Sequence, residues 1–318
     1  MQKILRADKD AYVTNRIVNG VRRISGSTGA AGTLDLFKIS GLSFSGTVPN
    51  VELSRAFIHF NLDPLRSLIS ASKLAINHPS FKCTLELKDV YGGQTTPANF
   101  VLDVFPLSRS FDEGLGRDIV QYSDEDVCNF VSSSRAMGAW LGLGCTLSAS
   151  STTACDFITG ALGLSMHASQ SFTTGFENMN VDVTRIVSAT LAGMVPDSGF
   201  RLSYSASHED DAFTYFVKRF ASRHAHDATF HPALRVTFDD SVQDDTQLLT
   251  LDDDYTLFLR NYSKNQPANI RSGSTTITGS NSLLLKLRTV ISGGYHEIFY
   301  TGSQATLAAL SLHDALPI

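Results

Sequence analysis

Short runs in which apolar and polar positions alternate recur along most of the chain. The clearest is LRVTF, in which Leu234, Val236 and Phe238 fall on one side of an extended segment. This period of two predicts a strand with one buried and one solvated face, which antiparallel sheets allow. Comparable runs rich in β-branched and aromatic residues, bounded by Gly, Pro, Ser and Asn, predict strands at residues 33–39, 53–61, 81–90, 99–105, 200–205 and 214–220.

Helical patterns are few and short. Residues 123–130 begin with Ser and acidic residues, and residues 184–192 begin with Thr and place apolar residues on one side, so each predicts a short helix. Strands and helices do not alternate regularly, which argues against a parallel sheet. We therefore predict an all-β fold, an antiparallel jelly-roll-type β-sandwich with a few short helices.

Composition narrows the class of protein. The chain has 318 residues, of which 42% are hydrophobic and 18% charged, and its net charge is −5. The hydrophobic fraction excludes a disordered chain. The negative net charge provides no broad basic surface for nucleic acid, so we expect no nucleic-acid partner. No run of roughly 18 or more apolar residues occurs, so we expect no membrane span. The first residues, MQKILRADKDAY, lack the apolar core of a signal peptide, and we expect none.

The domain organisation follows from changes in local composition. We predict a sandwich over residues 1–240, an acidic linker at 241–247, and a second small β domain at 248–310 that is truncated. Within the sandwich, residues 132–171 are rich in Ser, Gly, Ala and Thr and predict a long loop. The final residues, 311–318 (SLHDALPI), resemble the translation of a sequencing adapter. We set them aside as an artefact and expect the reading frame to continue beyond residue 310.

Several segments resemble one family in their order and spacing. They are residues 7–13 (ADKDAYV), 53–62 (LSRAFIHFNL), 108–118 (SRSFDEGLGRD), 181–187 (VDVTRIV), 199–204 (GFRLSY) and 220–238 (FASRHAHDATFHPALRVTF). Together they resemble the DNRLRE domain, a carbohydrate-binding-module-like β-sandwich. The chain departs from that pattern at Asn61, where Asp is usual, at Phe111, where Trp is usual, and at His224, where Glu is usual. The resemblance implies the sandwich fold and does not imply catalysis.

The chain as a whole also resembles virion structural proteins of tailed bacteriophages found in environmental sequence. The function we expect is therefore that of a non-enzymatic virion protein that builds the particle or adheres to a host. Its expected partners are other virion proteins, further copies of itself and a host-surface glycan, and its expected location is the virion, after assembly in the host cytoplasm. Two alternatives stay open: an accessory binding domain of a polysaccharide-acting enzyme, and a structural scaffold without a ligand.

Four aromatic residues are candidates for glycan contact. Sugar rings present apolar C–H faces that stack on aromatic rings, and their hydroxyl groups need convergent polar partners. The candidates are Tyr91, Phe111, Tyr122 and Trp140. For Trp140, which is the sole tryptophan, the alternative is an anchor that holds the long loop against the sandwich.

Carboxylates in a glycine-rich loop provide a candidate metal site. Asp112, Glu113 and Asp118 lie in SFDEGLGRD, and carboxylates with loop carbonyl oxygens are what Ca²⁺ requires. The alternative is a solvated turn, in which Asp and Gly are expected for conformational reasons. His224 and His226 share one face of an extended segment and are zinc candidates, although their spacing fixes no third ligand.

Other candidate chemistry is limited. Arg55 either contacts a ligand or forms a structural ion pair near a strand end. Residues 26–32 (GSTGAAG) lack the Lys-Ser/Thr of a phosphate loop, and residues 41–46 (GLSFSG) are not a nucleophile elbow. We therefore predict no enzymatic activity. No disulfide framework or zinc spacing links the cysteines, which we expect to be free thiols: Cys83, Cys128, Cys145 and Cys155.

Overall fold

The structure is a computed structural model, and the chain divides into two compact units, Gln2–Phe238 and Asp239–Ile318. Each unit is described by itself. The structure describes residues 2–42, 49–71, 73–90, 96–122, 127–146, 155–239, 242–244, 258–263, 266–272, 274–291, 294–304 and 316–317.

The first unit is built mainly from strands. Its three described helices are α1 (Asp63–Ser70), α2 (Thr184–Leu191) and α3 (Ala206–Asp210). Its described strands are β1 (Gln2–Thr14), β2 (Ile17–Val18), β3 (Val21–Arg22), β4 (Thr33–Leu42), β5 (Pro49–Phe60), β6 (Lys82–Leu87), β7 (Phe100–Pro106), β8 (Ser132–Ser134), β9 (Gly138–Ala139), β10 (Gly160–Ala161), β11 (Leu164–Ser165), β12 (Ala168–Phe172), β13 (Met179–Asp182), β14 (Phe200–Tyr204), β15 (Tyr215–Ala221) and β16 (Ala233–Thr237).

One antiparallel sheet of ten strands organises this unit, and the long strand β1 joins its two halves. The order is β12-β7-β14-β5-β1-β16-β6-β13, and β4 pairs with both β5 and β15. The beginning of β1 pairs with β16, from Gln2 opposite Thr237, and its remainder pairs with β5, up to Thr14 opposite Ser54. The prediction of an all-β antiparallel fold is confirmed.

The two ends of the sheet, β12 and β13, approach each other, so that the sheet is nearly closed. The side chain of Gln170 on β12 bridges them. The Gln170 amide nitrogen donates to the carbonyl oxygen of Asn178 at 2.8 Å, and its oxygen accepts from the backbone N–H of Asn180 at 2.7 Å. The bridge thus provides partners for two backbone groups, at Asn178 and Asn180, along the edge of the sheet. Unpaired groups at such an edge can recruit other chains.

The interior is filled by alternate residues of the strands. Leu85 and Leu87 on β6 and Leu102 and Val104 on β7 are buried in the main hydrophobic core. The Phe100 ring stacks on Phe172 with ring centroids 4.9 Å apart. A period of two on β6 and β7 therefore directs alternate side chains into this core, as the sequence pattern predicts.

All the strand segments predicted from the pattern contain strands, and the helix predicted at residues 184–192 is present as α2. The helix predicted at residues 123–130 is wrong for 127–130, which form bends, and its first four residues lie outside the described ones. The helix α1 escaped the pattern analysis, although Pro64 and the acidic Asp63 in its first turn are typical of a helix start. No described helix is long and apolar enough to span a membrane.

The second unit is also built from antiparallel strands. Its longest feature is a hairpin in which Leu283 lies opposite Gly302 and Ile291 opposite Gly294. Val242–Asp244, in the segment predicted as a linker, pairs with residues 259–261. The described strands are β17 (Val242–Asp244), β18 (Phe258–Ser263), β19 (Gln266–Pro267), β20 (Arg271–Ser272), β21 (Thr275–Thr276), β22 (Gly279–Ile291), β23 (Gly294–Gln304) and β24 (Leu316–Pro317).

The stacked rings yield a stability prediction. Replacing the buried Phe100 by Ala removes its contacts with Phe172 and Tyr204 and leaves a cavity, which lowers the free energy of unfolding by about 3–5 kcal/mol. Urea unfolding followed by circular dichroism measures the change. The matched control is Phe213→Ala, because Phe213 is 69% exposed and its loss changes stability by less than about 0.5 kcal/mol. Equal losses in the two variants would contradict this account of the core.

Candidate functional site

Two glycine-rich loops interlock beside β1: loop A (residues 26–32) and loop B (residues 110–118). A Cβ atom on Gly29 would lie 1.8 Å from the carbonyl oxygen of Glu113, and one on Gly116 would lie 2.0 Å from a carbonyl oxygen of loop A. Only glycine permits so close an approach of two backbones. Gly26 and Gly29 of loop A therefore have a packing function.

The loops cover a backbone edge of β1 with side chains. Beyond Arg6, β16 no longer accompanies β1, and the backbone groups on that side need other partners. The N–H of Asp10 donates to Glu113 Oε1 at 2.8 Å, and the N–H of Tyr12 donates to Thr28 Oγ1 at 3.1 Å. The Thr28 hydroxyl donates in turn to the carbonyl oxygen of Tyr12. The loops therefore replace a neighbouring strand at this edge.

A network of charged groups connects this edge to a third segment, which follows β15 and contains Arg223. Arg223 donates from Nε and Nη2 to the two carboxylate oxygens of Glu113, each at 2.5 Å, and its backbone N–H donates to Asp10 Oδ2 at 2.6 Å. His224 Nε2 lies 3.5 Å from Glu113 Oε1. Three of the segments that carry the family resemblance, around Asp10, Glu113 and Arg223, thus meet in one cluster.

The carboxyl group of Asp10 is the most deeply buried member of this cluster. Its residue is 1% exposed, and Oδ1 is buried without a hydrogen-bond partner. Burial raises the pKa of Asp10 to about 7; the nearby Glu113 charge acts in the same direction, and the Arg223 backbone N–H opposes it. A carboxyl group with this pKa is partly protonated at neutral pH.

The candidate metal ligands have protein partners instead. Glu113 is occupied by Arg223 and the edge of β1. Asp112 Oδ2 accepts from the N–H of Arg135 at 3.2 Å, and Asp118 Oδ1 accepts from two backbone N–H groups at 2.7 and 2.8 Å, as in an Asx turn. Across the described residues, no group of three or more His, Cys, Asp or Glu side chains is arranged to hold a metal ion, and this covers the proposed calcium and zinc sites.

The aromatic candidates for glycan contact are separated by the structure. Phe111 is 1% and Trp140 5% exposed, and both rings pack against Phe57, with centroids 5.8 and 5.0 Å away. Neither ring is accessible to a sugar in this conformation. The Trp140 Nε1–H donates to the carbonyl oxygen of Asn129 at 2.8 Å, so Trp140 holds the long loop against the core, as the alternative for it anticipated.

Tyr122 is the exposed aromatic candidate. It is 40% exposed, and its carbonyl oxygen accepts from the N–H of Ser27 at 3.0 Å, which places it beside loop A. The remaining candidate, Tyr91, lies outside the described residues. The interlocked loops with Tyr122 and the Arg223 segment form the candidate site, which we call the loop end.

Arg55 has the structural role and not the ligand role. It is buried, its Nη2 lies 2.6 Å from Glu209 Oε2, and its Nη1 donates to the carbonyl oxygen of Gly144 at 2.8 Å. Arg201 beside it donates to the carbonyl oxygen of Cys145 at 2.9 Å. The two arginines thus hold the segment around residue 144, and nothing in the local sequence pattern indicates this pairing.

A second cluster of charged groups was also missed in the sequence. His59 Nδ1 lies 2.6 Å from Asp8 Oδ1, and its Nε2 lies 3.5 Å from Asp197 Oδ1. The other carboxylate oxygen of Asp197, Oδ2, lies 2.7 Å from Arg66 Nη2. Burial alone would lower the pKa of His59, but the hydrogen bonds with Asp197 and Asp8 outweigh it and raise the pKa to about 9. His59 is therefore a cation at neutral pH.

A scan against family models matches no family, and a search of curated proteins finds no similar sequence. The resemblances to the DNRLRE domain and to bacteriophage virion proteins therefore stay predictions.

The cysteines are unpaired in the structure, which predicts their reactivity. Cys83, Cys128 and Cys145 are buried, and burial raises the pKa of each thiol, to about 12 for Cys145, so that few are present as reactive thiolates. Titration of the native protein with a thiol reagent should therefore show one fast group, Cys155, and four groups after denaturation. The fast group should be absent in Cys155→Ser. Two or more fast groups in the native protein would contradict the burial.

The His59 cluster predicts a pH dependence of stability. Because the pKa of His59 is raised to about 9 in the folded state, its stabilisation is complete below the unfolded value and is lost as pH rises from about 6.5 to 9. The difference in unfolding free energy between wild type and His59→Gln should fall by on the order of 2 kcal/mol across that range. His78→Gln is the control, since its described partner is Ser80 and not a carboxylate. A constant difference for His59→Gln would refute the ion-pair assignment.

Proposed function

We propose that this chain is a non-enzymatic structural or adhesion protein of a tailed-bacteriophage virion, and that its first unit binds a glycan at the loop end. The observation that supports glycan binding is the exposed Tyr122 beside the two interlocked loops. The resemblance of residues 1–240 to a carbohydrate-binding-module-like sandwich supports the same assignment.

The loop end has the physical character that sugar recognition requires. Tyr122 provides an accessible ring, and the partly exposed side chains of Arg223 and His224, in the segment that pairs with Glu113 of loop B, provide polar groups. The contact between Gly29 and Glu113 and the ion pair of Glu113 hold these loops in one arrangement. Because ordering a loop costs free energy on binding, loops that are already ordered bind more tightly.

Assignment to a virion rests on the resemblance of the whole chain. Two features are compatible with it: four unpaired cysteines, as expected for assembly in a reducing cytoplasm, and a sandwich whose weak sites would gain avidity from many copies in a particle. DNA sequence flanking this reading frame tests the assignment. Tail, baseplate or capsid genes would support it, whereas a hydrolase or lyase domain in the same frame would favour the accessory domain of a polysaccharide-acting enzyme.

Replacing Tyr122 by Ala tests the loop end. Loss of ring stacking should weaken binding about tenfold, corresponding to about 1–1.5 kcal/mol. Affinity electrophoresis in gels that contain bacterial-surface or algal polysaccharides measures the change. Phe213→Ala is the control, because Phe213 is an exposed ring away from the loop end segments and its loss should leave binding unchanged.

The two variants also define how the proposal fails. Binding that survives Tyr122→Ala in a folded protein would place the glycan site elsewhere. If none of the polysaccharide gels retards the migration of the wild-type protein, a structural scaffold without a ligand becomes the better account of the first unit.

A further inference from the structure

Lys218 on β15 is a fully buried lysine in contact with a carboxylate. Its Nζ lies 2.5 Å from Asp89 Oδ1, and its other two hydrogens are donated to the carbonyl oxygens of Gly175 and Glu177 at 2.7 and 2.8 Å. The four groups come from β15, the segment after β6 and the turn before β13. All three N–H groups of the ammonium group thus have an acceptor, and these contacts hold Nζ against the Asp89 carboxylate.

The surroundings of this pair are apolar on one side and acidic on the other. The rings of Phe172 and Phe220 have centroids 5.2 and 4.8 Å from Nζ. The charge of Glu177 acts to raise the pKa of Lys218, against the effect of burial. Its Oε1 accepts backbone N–H groups, whereas its Oε2 is buried and has no hydrogen-bond partner. A buried carboxylate oxygen without a partner costs free energy, and Oε2 is free to accept a proton.

We propose that Lys218 and Asp89 condense into an intramolecular isopeptide bond between Nζ and the side-chain carboxyl carbon. A proton passes from the ammonium group to the Asp89 carboxylate, leaving an amine and a carboxylic acid. The Nζ lone pair then attacks the carboxyl carbon and forms the C–N bond. The C–O bond to the hydroxyl group breaks, and a proton from nitrogen joins that hydroxyl to leave as water. Glu177 Oε2 relays this proton and is returned unchanged, so no oxidant or other reactant is needed.

Three physical terms favour this reaction at this place. Burial disfavours the ammonium form and lowers the pKa of Lys218, which increases the fraction of nucleophilic amine. Fixed contact between two reacting groups corresponds to an effective molarity on the order of 10⁵ M or more. Because Lys218 is fully buried, bulk water has little access to reverse the condensation.

A second buried pair provides an internal control. Lys38 is also fully buried, and its Nζ lies 2.7 Å from Asp211 Oδ1. Here, however, Asp211 Oδ2 accepts from the Tyr215 hydroxyl at 2.7 Å, and the described contacts of Lys38 include no second carboxylate. Without a relay group we expect this pair to stay an ion pair.

Mass spectrometry of the purified full chain tests the proposal. The denatured protein should weigh about 18 Da less than its sequence, the mass of one water. Trypsin should release residues 89–109 joined to residues 202–219, because a modified Lys218 no longer directs cleavage and Arg219 does. The joined peptide distinguishes the isopeptide bond from dehydration at any other residue.

Matched variants separate the roles of the groups. Lys218→Arg keeps the positive charge but should have its full sequence mass, whereas Lys38→Arg should still lose one water. Glu177→Gln, which can keep the Oε1 contacts, should slow the mass change in samples taken at intervals after synthesis. Asp89→Asn should lose ammonia, about 17 Da, if the same carbon is attacked.

The outcome that overturns the proposal is equally direct. A wild-type protein of full sequence mass, whose digest contains an unmodified Lys218 and free peptides on both sides of it, excludes the bond. A joined peptide at Lys38 in place of Lys218 would also refute it. Circular dichroism on each variant establishes that the fold is intact when its mass is compared.

Discussion

The fold of the first unit depends on how the free edge of β1 is satisfied. This strand belongs to both halves of the sheet, with β16 along its beginning and β5 along its remainder. Where β16 departs, backbone groups would face solvent in a position that invites another chain. Glu113 and Thr28 bond these groups instead, and Arg223 holds Glu113 in place. One carboxylate of loop B therefore connects the strand with the segment before β16.

That arrangement also accounts for the acidic residues of this loop, which resemble a metal site in sequence, by contacts within the protein. A carboxylate in a tight, glycine-rich loop is what a cation requires, and it is equally what a guanidinium and a strand edge require. Sequence shows the residue type and its loop. Only the three-dimensional structure shows that Arg223, which is 110 residues away along the chain, occupies both oxygens of Glu113.

The accuracy of the sequence-based predictions follows the range of the interactions involved. Strands could be predicted because the alternation in segments such as β7 and β16 is local. The core position of Phe111 and Trp140 could not, because their shared contact, Phe57, lies on a distant strand. Helix α1 was missed because only one of its residues, Leu65, is buried, whereas the equally short α2 buries four and so has a clearer apolar side. The Tyr122 candidate follows from its type, but its exposure beside loop A is a property of the fold.

Buried cations are the feature that local patterns describe least well. Lys38, Arg55 and Lys218 lie on strands predicted from runs of β-branched and aromatic residues, and each is buried and bonded to a carboxylate and to backbone carbonyl oxygen. Their acidic partners lie 173, 154 and 129 residues away. A buried ion pair rarely adds net stability over an apolar substitute, but breaking one is costly. Each pair therefore raises the free energy of any alternative fold in which its two segments are not in contact. In a sheet with many similar strands, this discrimination between registers is what alternation alone cannot provide.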